Sequence, residues 1–174
     1  MSYSSKGGFY GHNEDKSVTQ QLNSGVRALM LNIFDYKGDV WLCQGCDYIA
    51  GSISQGPALD LFKEVEAFLT SNSYEIVTLI LEDRVPEKNT LGKVFDASGL
   101  TKYLFPLSKM PLYGEDWPLV KDMVTANQRL VVFSSSKSKQ ESEGIAYQWN
   151  FMVEYKFGSD GRHTNRMVIE TKQH

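Results

Sequence analysis

"RALMLNIFDYKGDVWLCQG", residues 27–45, decides how the rest of the chain is read. Its first part, residues 27–34, is a nearly continuous apolar run with little polar alternation. Such runs suit a strand buried on both faces, as in parallel sheets. A tight turn leads into a second, shorter strand over residues 40–44. Asn32 sits near the end of the first strand and Gln44 near the end of the second. Both are uncharged amides, placed where an enzyme would put an acid and a base.

The same pattern recurs downstream. "EIVTLILE" (residues 75–82) and "RLVVFS" (residues 129–134) read as two further buried strands. Between them lie helical stretches. Pro57 opens one in which Ala58, Leu61, Phe62, Val65, Phe68 and Leu69 make an apolar stripe at helical spacing, with Asp60, Lys63, Glu64 and Glu66 opposite. Asn89 or Thr90 can cap another that carries Leu91, Val94 and Phe95 and stops near Gly99. Residues 104–118 are irregular, with three prolines. Asp116 then caps a helix with Pro118 in its first turn, and Leu119, Val120, Met123 and Val124 are its expected buried stripe. Residues 14–23 have modest helical character, with Val18 and Leu22 on one face, ended by Gly25. "DYIAGSISQGP" (residues 47–57) reads as loop, and beyond Ser134 the periodicity weakens.

The order strand, strand, helix, strand, helix, helix, strand indicates an α/β fold with a mostly parallel sheet. A chain of 174 residues is one domain or a piece of a larger one. A closed eight-stranded barrel typically takes about 250 residues. The pattern therefore fits an open sheet or a partial TIM barrel.

Composition narrows the function. A net charge of −3 and a pI near 5.6 argue against a nucleic-acid binder. No apolar run approaches the length of a transmembrane segment. The N-terminus is polar and rich in Gly and Ser with no apolar core, so no signal peptide is visible and the chain, taken literally, is soluble and cytoplasmic. Cys43 and Cys46 are spaced C-x-x-C. A zinc site needs four ligands and no second pair exists, so a plain thiol pair or a local disulfide is the expected reading. "KGGFYG" has no strand before it, which leaves it as a flexible terminus and not a phosphate loop. His12 reads as a loop residue, with a role as base the alternative.

In α/β folds, sites lie at the carboxyl ends of strands, and the period of two selects the residues. Met30 and Asn32 share a face. So do Val40, Leu42 and Gln44, and so do Ile76, Thr78, Ile80 and Glu82. Asn32, Gln44 and Glu82 thus end three strands and can converge on one site. No G-x-S-x-G elbow occurs, and no Ser or Cys has an evident His partner.

"EDKSVTQQLNSGVRALMLNIFDYKGDVWLC", "EIVTLILED", "GEDWPLVKDMV" with "NQRLVVF", and "EGIAYQWNFMVE" together resemble the plant-type phosphatidylinositol-phospholipase-C-like phosphodiesterases, which carry the X-domain of that superfamily. The resemblance covers residues 14–161, leaving 1–13 as a flexible N-terminus and 162–174 as a divergent tail. It implies a distorted TIM barrel and a phosphoric diester hydrolase that uses two histidines. One takes a proton from the inositol hydroxyl that attacks phosphorus, and the other protonates the leaving lipid oxygen. An Arg or a bound Ca²⁺ stabilises the developing charge.

Residue by residue, the chain departs from that pattern. Gln44 stands where the second His should follow Cys43. Asn32 stands where the family's "M-L-D" has its carboxylate. "HNED" aligns with a family segment that lies downstream of the first His, so the first strand and its His are expected to be missing. Glu82 matches an acidic position that binds metal in the calcium-dependent branch, which makes Ca²⁺ the one cofactor to consider. Arg27 matches a family Arg that serves structure, with substrate binding as the other reading. Relatives have more residues between the two cysteines, often disulfide-bonded, and are often secreted or membrane-anchored.

The expectation is a truncated, degenerate member of the family with little or no catalysis. The alternative is a pseudoenzyme that binds an inositol phosphate, a phosphoinositide or a protein partner. Half a barrel would leave unpaired sheet edges, which invite self-association.

Overall fold

The computed structural model describes residues 17–43, 54–111 and 115–152. In chain order the elements are α1 (Val18–Asn23), β1 (Ala28–Tyr36), β2 (Asp39–Cys43), β3 (Ser54–Pro57), α2 (Ala58–Ser71), β4 (Val77–Arg84), α3 (Thr90–Ser98), α4 (Val120–Thr125), β5 (Leu130–Ser134), α5 (Ser138–Glu143) and β6 (Ala146–Tyr147). Short 3₁₀ turns link α3 to α4 and follow β6.

The three long apolar runs lie at the centre of the sheet. β1 pairs in parallel with β4, β4 with β5, and β5 with β6, while β2 folds back antiparallel on β1 and β3 antiparallel on β2. Among the described residues the result is a six-stranded open sheet of order β3-β2-β1-β4-β5-β6. It is α/β and mostly parallel, a barrel segment that does not close. Among the described residues its outer strands are short, four residues in β3 and two in β6.

The register sorts the side chains onto two faces. Leu29, Leu31 and Ile33 of β1, Leu79 and Leu81 of β4, and Leu130 and Val132 of β5 point to the face covered by α1, α2 and α3. All six apolar residues expected on α2 are buried there, and the Phe62 ring lies 5.0 Å from that of Phe95 on α3. α1 starts at a capping box: Ser17 Oγ accepts from the Gln20 amide, and Gln20 Oε1 accepts from the Ser17 amide.

The opposite face carries Ile80, Val131 and Phe133, covered by Phe105, Met110 and Met123 of the β4–β5 connection and by Phe151. That cover does not extend over β1, where Met30 stays 43% exposed. β1 is therefore buried on one face, and the expectation of burial on both is corrected. Its apolar run records one core face and one lightly covered face.

Other expectations change as well. Residues 54–57, read as loop, form β3, because they complete the ladder of β2: Gly56 pairs with Leu42 and Pro57 with Trp41. α4 buries Met123, while Leu119 and Val120 are 59% and 61% exposed, so its expected stripe is not a core stripe. The helix starts after Leu119 rather than at Asp116, which rotates those two residues outward. α5 and β6 lie in the stretch where no periodicity was legible.

Arg27 at the start of β1 donates from Nε to Glu75 Oε2 at 2.6 Å and from Nη1 to the Leu22 and Val26 carbonyls, and its guanidinium lies over the Phe68 ring. The hydrogen bond from Arg27 holds the Glu75 carboxyl below its ordinary value of 4.5. A depressed carboxyl contributes stability that is fully present above the unfolded-state value and lost as pH falls through the folded one. The melting temperature should therefore decline below about pH 4.5, and Glu75→Gln should flatten that decline by at most about 1 kcal/mol, since the pair is partly solvated. An unchanged acid slope in thermal melts of Glu75→Gln would refute this.

Candidate functional site at the strand ends

Asn32 and Glu82 are register partners on the adjacent parallel strands β1 and β4. Glu82 lies near the carboxyl end of β4, but Asn32, expected at the end of its strand, is the fifth of the nine residues of β1, because pairing with β2 carries that strand on to Tyr36. Both are half-buried on the face away from the helices. The period of two placed them together, and the structure does the same. The Asn32 amide has no hydrogen-bond partner among the described residues.

Glu82 is not isolated. Arg84, two residues on and on the same face, donates from Nη2 to Glu82 Oε1 at 3.0 Å, with the side chains 38% and 41% exposed. Arg84 is the cation of this strand end. Continuing the alternation of β4 by one step reaches it, past the point where the apolar run ends at Glu82.

Gln44, Cys46 and His12 lie outside the described residues. Val40 and Leu42, which share the alternation of Gln44, sit in the helix-covered core in register with Asp35 and Ile33, on the face opposite Asn32. The pairing of β2 with β3 shifts register between Leu42 and Cys43. Cys43 is 5% exposed and disulfide-bonded, which selects the disulfide from the two readings of the cysteine pair. Arg27 stands at the other end of β1, five residues or about 16 Å of strand from Asn32, with its guanidinium engaged by Glu75 and the end of α1.

These residues do not fit a calcium site. Ca²⁺ takes about six to eight oxygen ligands, several of them carboxylates. At this strand end Glu82 is paired with a guanidinium and its neighbour Asn32 is neutral. Among the described residues no group of three or more His, Cys, Asp and Glu is arranged to hold a metal ion, and no helix is long and apolar enough to cross a membrane.

Comparison with known proteins follows the same lines. Residues 4–171 match the family described as PI-PLC X 1. A PI-PLC X domain-containing protein of Arabidopsis thaliana is 47% identical over 151 residues, which are 86% of this chain and 35% of that protein. PI-PLC X domain-containing protein 1 of Arthroderma benhamiae is 32% identical over 130 residues, 73% of this chain and 41% of that protein. The chain thus spans well under half the length of these two relatives. Among solved structures, a mutant phosphatidylinositol-specific phospholipase C from Staphylococcus aureus superposes with a TM-score of 0.52 at 13% identity, over 85% of this chain and 50% of that one. S. officinalis PLC21 gives a TM-score of 0.50 at 16% identity, over 71% of this chain and 16% of that one. The fold is an incomplete TIM barrel of the phospholipase C type.

Proposed function

The chain belongs to the PI-PLC X-domain family, and we propose that it is a phosphoric diester hydrolase by descent whose catalysis is impaired. The observation that supports this most is Asn32. It is the register partner of Glu82, at the position where the resemblance implies a carboxylate. An amide donates and accepts hydrogen bonds but does not titrate in the working range. Gln44 follows Cys43 in the sequence, where the resemblance implies the histidine that protonates the leaving group. Each lost acid or base typically costs about 10²–10⁴-fold in rate. The substrate class by descent is a phosphoinositide.

The test is an assay of the purified chain on phosphatidylinositol vesicles, with and without Ca²⁺. Release of inositol phosphate is expected to match the blank. Turnover above the blank that disappears in Gln44→Ala would overturn the reading. A second reading, binding of an inositol phosphate or a protein partner without turnover, is favoured by the unpartnered amide of Asn32. Calorimetry with inositol 1-phosphate that shows no heat and no thermal stabilisation removes its ligand-binding form.

A further inference from the structure

The C-x-x-C pair of Cys43 and Cys46 has no part in the reading of the strand ends. Cys43 is disulfide-bonded, and the chain has two cysteines, so its partner is Cys46. The bond therefore closes a ring that spans only residues 43–46. The stability that a disulfide gives a fold grows with the logarithm of the ring it closes, and the shortest rings give the least. By linkage, the fold protects a disulfide from reduction by the same factor by which the disulfide stabilises the fold. A bond across so short a ring has little such protection.

Its place in the sheet agrees. Cys43 is the last residue of β2, and the ladder is irregular there: Leu42 pairs with Gly56 and Cys43 with Ser54, so Gln55 falls between two rungs. The bond thus starts at a bulge, on the last rung that β2 shares with β3. The two residues of that rung are joined through residues 44–53, and the bond shortens the connection to residues 47–53. Loop-closure cost rises slowly with length, so opening the bond weakens this pairing only slightly. The main core holds Val40 and Leu42 but not Cys43. Packing therefore anchors β2 without help from the bond.

We propose that the Cys43–Cys46 bond is an exchangeable disulfide whose reaction partner is a small thiol of the glutathione class. Cys43 is 5% exposed, which shields its sulfur from attack along the bond axis. The incoming thiolate therefore attacks the Cys46 sulfur. The Cys43–Cys46 bond breaks, a mixed disulfide forms at Cys46, and Cys43 leaves as a thiolate that takes a proton. A second small thiolate attacks the outer sulfur of the mixed disulfide. That step releases the small-molecule disulfide and returns Cys46 as a thiolate, which is protonated in turn. Two electrons and two protons pass from two small thiols to the protein, and the reverse steps restore the bond.

The test equilibrates the full chain with about 10 mM reduced and about 0.1 mM oxidised glutathione near pH 7 and counts its thiols by alkylation and mass. At least about a tenth of the chains should carry two thiols, where a structural disulfide would stay about 99% oxidised or more. They should reoxidise when oxidised glutathione is raised, and the reduced chain should still melt cooperatively. A smaller reduced fraction overturns the proposal. So does a reduced chain that has lost its cooperative melt, which would make the bond a structural staple. Between the single variants, Cys43→Ala should form a mixed disulfide with oxidised glutathione at least about tenfold faster than Cys46→Ala, whose remaining sulfur is the buried one. Equal rates overturn the choice of the attacked sulfur. Where a variant does not fold, the titration of the wild type decides alone. None of these outcomes touches the proposal of impaired catalysis, which is decided by turnover.

Discussion

Lys139→Ala is expected to remove about 3–5 kcal/mol of folding stability, a large share of what an ordinary domain has. Lys139 is 1% exposed, although it lies in α5, a helix of polar and charged residues with no apolar stripe. Its ammonium donates to Glu143 Oε1 at 2.8 Å, one turn on, and to the Glu87 carbonyl at 2.6 Å. Glu143 Oε2 in turn accepts from the Gly92 amide in the first turn of α3, at 2.8 Å. The pair, with side chains 1% and 2% exposed, fastens α5 to α3 and to the connection before it. Removing the ammonium alone leaves a carboxylate buried with one amide for company, and that uncompensated charge is the source of the cost.

The double variant Lys139→Met/Glu143→Gln distinguishes this account from a simple packing loss. It removes both charges, roughly keeps both volumes and preserves an acceptor for Gly92. It should recover to within about 1–2 kcal/mol of the wild type, since a buried ion pair is often replaceable by neutral groups at little cost. Urea unfolding of the two single variants and the double variant gives the coupling directly. If the double variant is as unstable as Lys139→Ala, the loss is one of packing and the electrostatic account is wrong.

Lys139 also shows where the sequence was legible and where it was not. Elements whose apolar residues repeat at one period could be read: α2 at helical spacing, and β1, β4 and β5 as apolar runs, each within about two residues of its observed ends. β3 and β6 could not, because strands of four and two residues exist only through the ladder of a neighbour and leave no period of their own. α5 was invisible for a different reason. Its buried group is a lysine, and a lysine in a polar stretch reads as solvated until its partners, 52 residues away at Glu87 and one turn away at Glu143, are known.

The candidate site divides in the same way. Asn32 and Glu82 were legible because strand alternation and parallel register are local rules. Arg84 lay one alternation step further, past the point where the apolar pattern ends. The positions that carried the expectation of lost catalysis are of a third kind. Alternation picks out Asn32 and Gln44, but that they stand for a carboxylate and a histidine is implied by the resemblance alone, and only their lack of a titrating group follows from chemistry.

Arg129→Met should cost about 3–5 kcal/mol, as large as the loss at Lys139 but from a cation that has no carboxylate partner among the described residues. Arg129 is 4% exposed at the start of β5. Its Nη1 donates to the carbonyls of Leu69 and Asn72 at 3.0 Å and of Glu75 at 3.3 Å. Nε donates to Asn127 Oδ1 at 3.0 Å, and the guanidinium lies 4.6 Å from the centre of the Tyr103 ring. The cation therefore serves the carboxyl end of α2, where the backbone carbonyls and the helix dipole are negative, and the turn that leads into β4. Its own carbonyl accepts from the Val77 amide at 2.9 Å, which closes the link between the starts of β4 and β5. Methionine fills much of the volume but leaves several of these carbonyls without a donor.

Arg129→Lys keeps the charge and should still recover less than half of the loss, because a single ammonium cannot match a planar fork that reaches four acceptors and stacks on a ring. Urea unfolding measures both variants, and amide exchange at Val77 reports whether the strand starts separate first. Stability of Arg129→Met within about 1 kcal/mol of the wild type, or full rescue by lysine, would show that the carbonyls find other donors and that the fork is not what joins α2 to the sheet.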